Sequence, residues 1–224
     1  LASTYRNQGR WEEAEKLFLQ VMETSKTKLG ADHPNTLTSM DNLASTYRDQ
    51  GRWEEAEKLE VQVIETSKTK LGADHPSTLT SIANLALTYQ NQGRWEEAEK
   101  LEAQVMETRK TKLGADHPDT LTSMANLAST YWNQGRWEEA EELQAKELAM
   151  CAKKLGQRHP GTLISMKNLA FIWKDMGRHE DALGLLQTCF DLRQQMLGVG
   201  HPYTASTLST LKAWLEENEQ PPVE

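Results

Sequence analysis

The chain has 224 residues, of which 38% are hydrophobic, with a mean hydropathy of -0.70 and a formal net charge of -8. That acidic balance argues against nucleic acid, because binding phosphates needs a clustered basic surface. No apolar run approaches the length of a membrane span and no signal-peptide pattern opens the chain. Cys151 and Cys189 make neither a disulfide framework nor a zinc spacing, so a reducing, cytoplasmic location is expected.

Taken in chain order, the sequence repeats itself. Gly9, Gly51, Gly93, Gly135 and Gly177 are each 42 residues apart, and so are Pro34, Pro76, Pro118, Pro160 and Pro202. Trp11, Trp53, Trp95 and Trp137 keep the same step, with His179 in the fifth place. Aligning 31–72 with 73–114 leaves nine differences in 42 positions. Such periodicity is the signature of a stacked array. The expected organisation is a partial unit over 1–30, repeats over 31–72, 73–114, 115–156 and 157–198, a capping helix over 199–219, and a frayed tail over 220–224. The chain opens inside a repeat motif at Leu1-Ala2-Ser3-Thr4-Tyr5, so it reads as a piece of a longer protein.

Each unit reads as two helices. Pro34 suits a first helical turn, where a missing N–H costs nothing, and the preceding His33 is pushed out of the helical region as a cap should be. Leu37, Met40, Leu43, Ala44 and Tyr47 recur at helical spacing, and Gly51 stops that helix. The second helix starts near Trp53, with Glu54 and Glu55 in its first turn and Lys68 and Lys70 near its end, matching the helix dipole. Ala56, Leu59, Val63 and Ile64 carry its apolar stripe, and Leu71-Gly72 closes the unit. In the final helix, Leu208, Leu211, Trp214 and Leu215 are expected to cover the last pair, with Glu216, Glu217 and Glu219 on the solvent side.

Asn42-Leu43-Ala44-x-x-Tyr47 followed by Gly51-Arg52-Trp53-x-x-Ala56 resembles a tetratricopeptide repeat. The connecting Leu71-Gly72-x-Asp74-His75-Pro76 is similar to the kinesin light chain subclass, and the near-identical 42-residue copies resemble the arrays at the ends of fungal NOD-like (STAND) receptors. The resemblance implies an all-α, right-handed superhelical solenoid of antiparallel helix pairs. It also implies a protein- or peptide-binding role in a concave groove lined by the first helix of each repeat. One departure stands out. At a second-helix position where the family carries a large apolar residue, only Phe18 and Leu186 comply, and Glu60, Glu102 and Gln144 replace it.

Catalytic readings find little support. Asp32-His33, Asp74-His75 and Asp116-His117, with His159 and His201, invite an acid–base or metal interpretation. Equivalent histidines on helices about 8–10 Å apart cannot converge on one ion, and capping explains them better. No nucleophile elbow or phosphate-cradling loop is present. Neither enzyme activity, a metal nor a cofactor is expected.

The binding expectation rests on the other face of each first helix. At 100° per residue, Thr38, Asp41, Asn42, Ser45 and Asp49 fall roughly 150° from the apolar stripe. Asn42, Asn84, Asn126 and Asn168 then form a ladder whose amides offer donors and an acceptor to an extended peptide. An amide bridging adjacent first helices is the alternative. Of the nine differences between copies, four lie on this face: Asp41/Ala83, Ser45/Leu87, Arg48/Gln90 and Asp49/Asn91. Toward the C-terminal end, Trp132, Ile164, Lys167, Phe171 and Lys174 bring aromatic, apolar and basic groups onto it. They read either as an anchor pocket or as packing around Trp214. A spacer or self-association element is the competing function, with end-to-end contact through the uncapped N-terminus at 1–8.

Overall fold

The computed structural model describes residues 1–219, and the tail expected over 220–224 lies outside them. The described residues are helical with no strand, and they divide into two compact units, Leu1–Thr108 and the residues from Arg109 onward. In the first unit the helices are α1 (Ala2–Asn7), α2 (Trp11–Leu29), α3 (Pro34–Asp49), α4 (Trp53–Leu71) and α5 (Pro76–Asn91), followed by α6 (Trp95–Leu113), whose last turn passes the boundary. The second holds α7 (Pro118–Asn133), α8 (Trp137–Leu155), α9 (Pro160–Asp175), α10 (His179–Leu197) and α11 (Pro202–Glu219). Each helix from α1 to α5 packs on the next in the first unit, and each from α7 to α11 does so in the second, as repeat stacking requires.

The helix boundaries follow from local chemistry. Pro34 sits in the first turn of α3, and the His33 ring accepts a hydrogen bond at Nδ1 from the Asn35 N–H at 3.1 Å. His75, His117, His159 and His201 do the same for the N–H two residues on. The Thr36 hydroxyl, with no exposed surface, donates to the Gly30 carbonyl at 2.8 Å and ties α3 to the loop before it. Thr78, Thr120 and Thr162 repeat this lock. Gly51 adopts φ +75° and Gly72 φ +99°, left-handed conformations that strain any side chain. The aspartates beside the capping histidines act otherwise than expected. Asp32 pairs with Lys70 at 2.5 Å and Asp116 with Lys154 at 2.7 Å, each joining its loop to the second helix of the same repeat.

Apolar stripes fill the interior. In the first unit Leu43 packs with Ala14 and Phe18, and Leu79, Ile82 and Leu85 pack with Ile64 and Val105. In the second, Leu163, Met166 and Cys189 form one cluster, while Leu186, Leu211 and Trp214 form another. Leu211 and Trp214 cover the last pair as expected, whereas Leu215 is exposed because it lies beside Trp214 on the helix and points off the stripe. The turn arginine is a clasp between repeats. Arg52 lies 4.1 Å from the Tyr47 ring centroid and pairs with Glu55 at 2.6 Å and with Glu15 of the preceding repeat at 2.8 Å. Arg94 repeats the arrangement with Tyr89, Glu97 and Glu57. Arg178 does so with Trp173, Asp181 and Glu141.

Candidate functional site

In the first unit, α3 and α5 present Asn42 and Asn84 half-buried on the face away from the core. The Asn42 carbonyl accepts from Thr46 and the Asn84 carbonyl from Arg48 at 3.1 Å. Among the described residues neither amide side chain takes part in a hydrogen bond. Asn126 and Asn168 hold the corresponding half-buried positions on α7 and α9 in the second unit, and their amides are likewise uncommitted. The bridging alternative therefore has no hydrogen bond to carry it within either unit.

Beside Asn84 lies a polar cluster that the departure from the family pattern creates. Glu60, wholly buried, accepts from the Thr88 hydroxyl at 2.7 Å and faces Arg48 at 3.4 Å. Asp41 accepts from Ser81 at 2.9 Å through one oxygen, and its other oxygen is buried without a partner. Burial pushes Glu60 up to about 7 against the hydrogen bond from Thr88 and the charge of Arg48. Burial likewise pushes Asp41 up to about 6, opposed by Ser81 and Arg48. In the second unit the equivalent Gln144 donates to Glu147 at 2.7 Å, and Glu147 also accepts from the Cys151 thiol at 2.8 Å and from Ser165 at 2.9 Å. The polar substitutions are visible in the sequence but these networks are not, because Arg48, Thr88 and Ser165 come from other helices.

The aromatic and basic residues separate. Trp132, Ile164, Lys167, Asn168 and Phe171 line one cavity of about 450 Å³ in the second unit, with Leu163, Arg193, Met196, Leu197 and Tyr203 completing its walls. Trp132 and Phe171 meet edge to face at 6.4 Å, and the Trp132 indole donates to Asp175 at 2.6 Å. Phe171 also meets Trp214 edge to face at 4.9 Å, so it serves both the cavity wall and the terminal packing. Lys174 stands outside the cavity. It pairs with Glu217 at 2.5 Å and lies over the Trp214 ring at 4.8 Å.

Among the described residues no group of three or more His, Cys, Asp or Glu could hold a metal ion, and no helix is long and apolar enough to cross a membrane. The five loop histidines spend Nδ1 on capping. Both cysteines are buried, with Cys189 donating to the Leu163 carbonyl at 3.2 Å.

No curated protein matches the chain. Among solved structures it is similar to a kinesin light chain candidate from Podosopora anserina with nearly identical TPR-like repeats, at 34% identity and TM-score 0.72, covering 88% of this chain and 93% of that one. A point-substituted form of the same protein gives 33% identity and TM-score 0.74 over 87% and 92%. A Rap protein complexed with Competence and Sporulation Factor shares the fold at 12% identity and TM-score 0.71, covering 96% of this chain and 62% of that one. Tetratricopeptide repeat models match residues 1–69, 77–151, 119–173 and 162–203. With most of its length matched, and with the helix pairs and turn clasps that the motif specifies, the chain belongs to the tetratricopeptide repeat family, whose fold is typically a protein-interaction scaffold.

Proposed function

We propose that this chain is a protein-interaction module that holds an extended segment of a partner along the faces of its first helices. The observation that carries the reading is the set of half-buried, uncommitted amides at Asn42 and Asn84 in one unit and at Asn126 and Asn168 in the other. A primary amide can donate to a peptide carbonyl and accept from a peptide N–H together, so it grips backbone without reading side chains. A half-buried position strengthens those bonds relative to open water. In the second unit the segment passes over Trp132, Ile164, Lys167 and Phe171 at the rim of the cavity. The Rap complex gives a precedent for a bound factor on this fold, and the repeat pattern suits an array within a larger protein of the fungal NOD-like receptor type.

The test is selection from a displayed peptide library on the wild-type chain and on Asn84→Leu/Asn126→Leu, with fold checked by circular dichroism. Peptides retained by the wild type alone support the groove. Equal retention, or none, removes it. A second reading is self-association through the recess lined by Leu1, Phe18 and Val21, where Leu1 and Val21 are exposed. It predicts a concentration-dependent rise in sedimentation coefficient that Val21→Glu abolishes.

A further inference from the structure

The cavity of the second unit carries charge that no carboxylate among the described residues balances. Arg193 is buried to 6% exposure, and its guanidinium meets only neutral acceptors: the Thr207 hydroxyl at 2.6 Å and the Tyr203 and Leu163 carbonyls at 3.3 and 3.4 Å. Lys167, half-buried on the same wall, has the Phe171 ring 5.6 Å away and no carboxylate partner among the described residues. The two cations act on a common neighbourhood. Both favour the thiolate of Cys189, whose pKa burial nonetheless raises. In an acidic chain this is unusual, because a buried charge is normally met by an opposite one. The acids that touch this wall are engaged, with Asp175 taken by the Trp132 indole and Glu147 by Gln144, Cys151 and Ser165.

Most of the remaining wall is apolar, with Ser129, Gln144, Asn168 and Ser206 as its neutral polar residues. Ile164 is 54% exposed and Tyr203 65%, which leaves large hydrophobic surface around a concave recess. A volume of about 450 Å³ falls in the range of small-molecule sites, which combine apolar and aromatic walls with a few placed polar groups. The edge-to-face pair of Trp132 and Phe171 presents ring surface suited to another aromatic group.

The geometry points to a small-molecule site in this cavity for a free monocarboxylic acid with an aromatic or branched apolar body, the body seated against Trp132, Ile164 and Phe171 and the carboxylate facing Lys167 and Arg193. This goes beyond partner binding along the first helices and does not depend on it.

Isothermal titration of the whole chain with 4-phenylbutanoate, 4-phenylbutanol and 4-phenylbutylamine tests the assignment. The acid binds at least tenfold more tightly than the alcohol, and the amine does not bind. Lys167→Gln reduces affinity for the acid about tenfold and Lys167→Arg restores most of it, while Ile164→Trp, which fills the mouth, abolishes binding. Asn84→Leu/Asn126→Leu leaves it unchanged, which separates this site from the asparagine grip on a partner's backbone. Equal binding of acid and alcohol, no binding of the acid at millimolar concentration, or indifference to Lys167 and Ile164 each overturns the site. So does tighter capture of a blocked peptide containing Phe beside Glu than of the free acid, since the cavity would then serve the partner's side chains.

Discussion

Thr88 on α5 donates its hydroxyl to the Glu60 carboxylate on α4 at 2.7 Å, which joins two successive helices through a charge-bearing group with no exposed surface. Arg48 on α3 is the cation facing Glu60, and it is shared with Asp41. A stack of this family fills the Glu60 position with a large apolar side chain, so this unit has a titratable joint where others have a greasy one.

That joint makes stability depend on pH. Burial raises Glu60 from 4.5 to about 7 and Asp41 from 3.8 to about 6. The folded chain therefore retains protons that the unfolded chain has already released, and stability falls as pH rises through that window. Below about pH 4 the contribution is fully present, and above about pH 7 it is lost. Urea titrations at about pH 5 and pH 8 are expected to differ by about 1–3 kcal/mol from this source, with Glu60→Gln flattening the dependence. An unchanged slope in Glu60→Gln would place the dependence elsewhere.

The arginine clasp predicts a smaller effect. Arg52 stacks on Tyr47 and joins Glu15 to Glu55 across a repeat boundary, but a third of its side chain is in solvent. Exposed ion pairs contribute little, and a cation over an aromatic ring adds modestly. Arg52→Gln is expected to destabilise the chain by about 0.5–1.5 kcal/mol, read from the urea midpoint, with added salt reducing the difference.

Much of this architecture is legible in the sequence because its causes are local. Pro34, Gly51 and Gly72 mark helix ends through their own backbone preferences, and the stripe from Leu37 to Tyr47 needs only helical spacing. What escapes the sequence depends on groups brought together by stacking. Glu60 is recognisable as out of place, yet Thr88 and Arg48 cannot be named as its neighbours without knowing how α3, α4 and α5 meet. Lys174 shares a helical face with Lys167 but is drawn aside by Glu217, 43 residues away on α11. Asp32 groups with His33 as a cap because the two are adjacent, whereas its partner Lys70 lies 38 residues on, near the end of α4. At the candidate site, the positions of the asparagines and of Trp132, Ile164, Lys167 and Phe171 are readable, but the buried Arg193 in the cavity wall is not. Its step of 84 residues from Arg109 is the available signal: Arg109 is also buried and reaches the Ser123 hydroxyl at 2.9 Å.

The cysteines offer a direct check on burial. Burial and the hydrogen bond to Glu147 push the Cys151 thiol up to about 12, and burial raises Cys189 despite Arg193 and Lys167. Thiolates, not thiols, attack disulfide reagents. With Ellman's reagent at about pH 8, the native chain is expected to release almost no chromophore over minutes, and both thiols to react at once in guanidinium. Prompt reaction of one thiol in the native chain would contradict the packing described for it.

Partner recognition through backbone gripped by asparagine amides makes a prediction that side-chain recognition does not. The most direct measurement is titration calorimetry with a captured peptide and its single N-methyl variants, set beside an alanine scan of the same peptide. N-methylation at the positions facing Asn42 and Asn84 is expected to weaken binding at least tenfold, with no further loss in Asn42→Leu/Asn84→Leu, while alanine at those positions changes little. Tolerance of N-methylation throughout, with affinity lost only on removing side chains, would contradict the account.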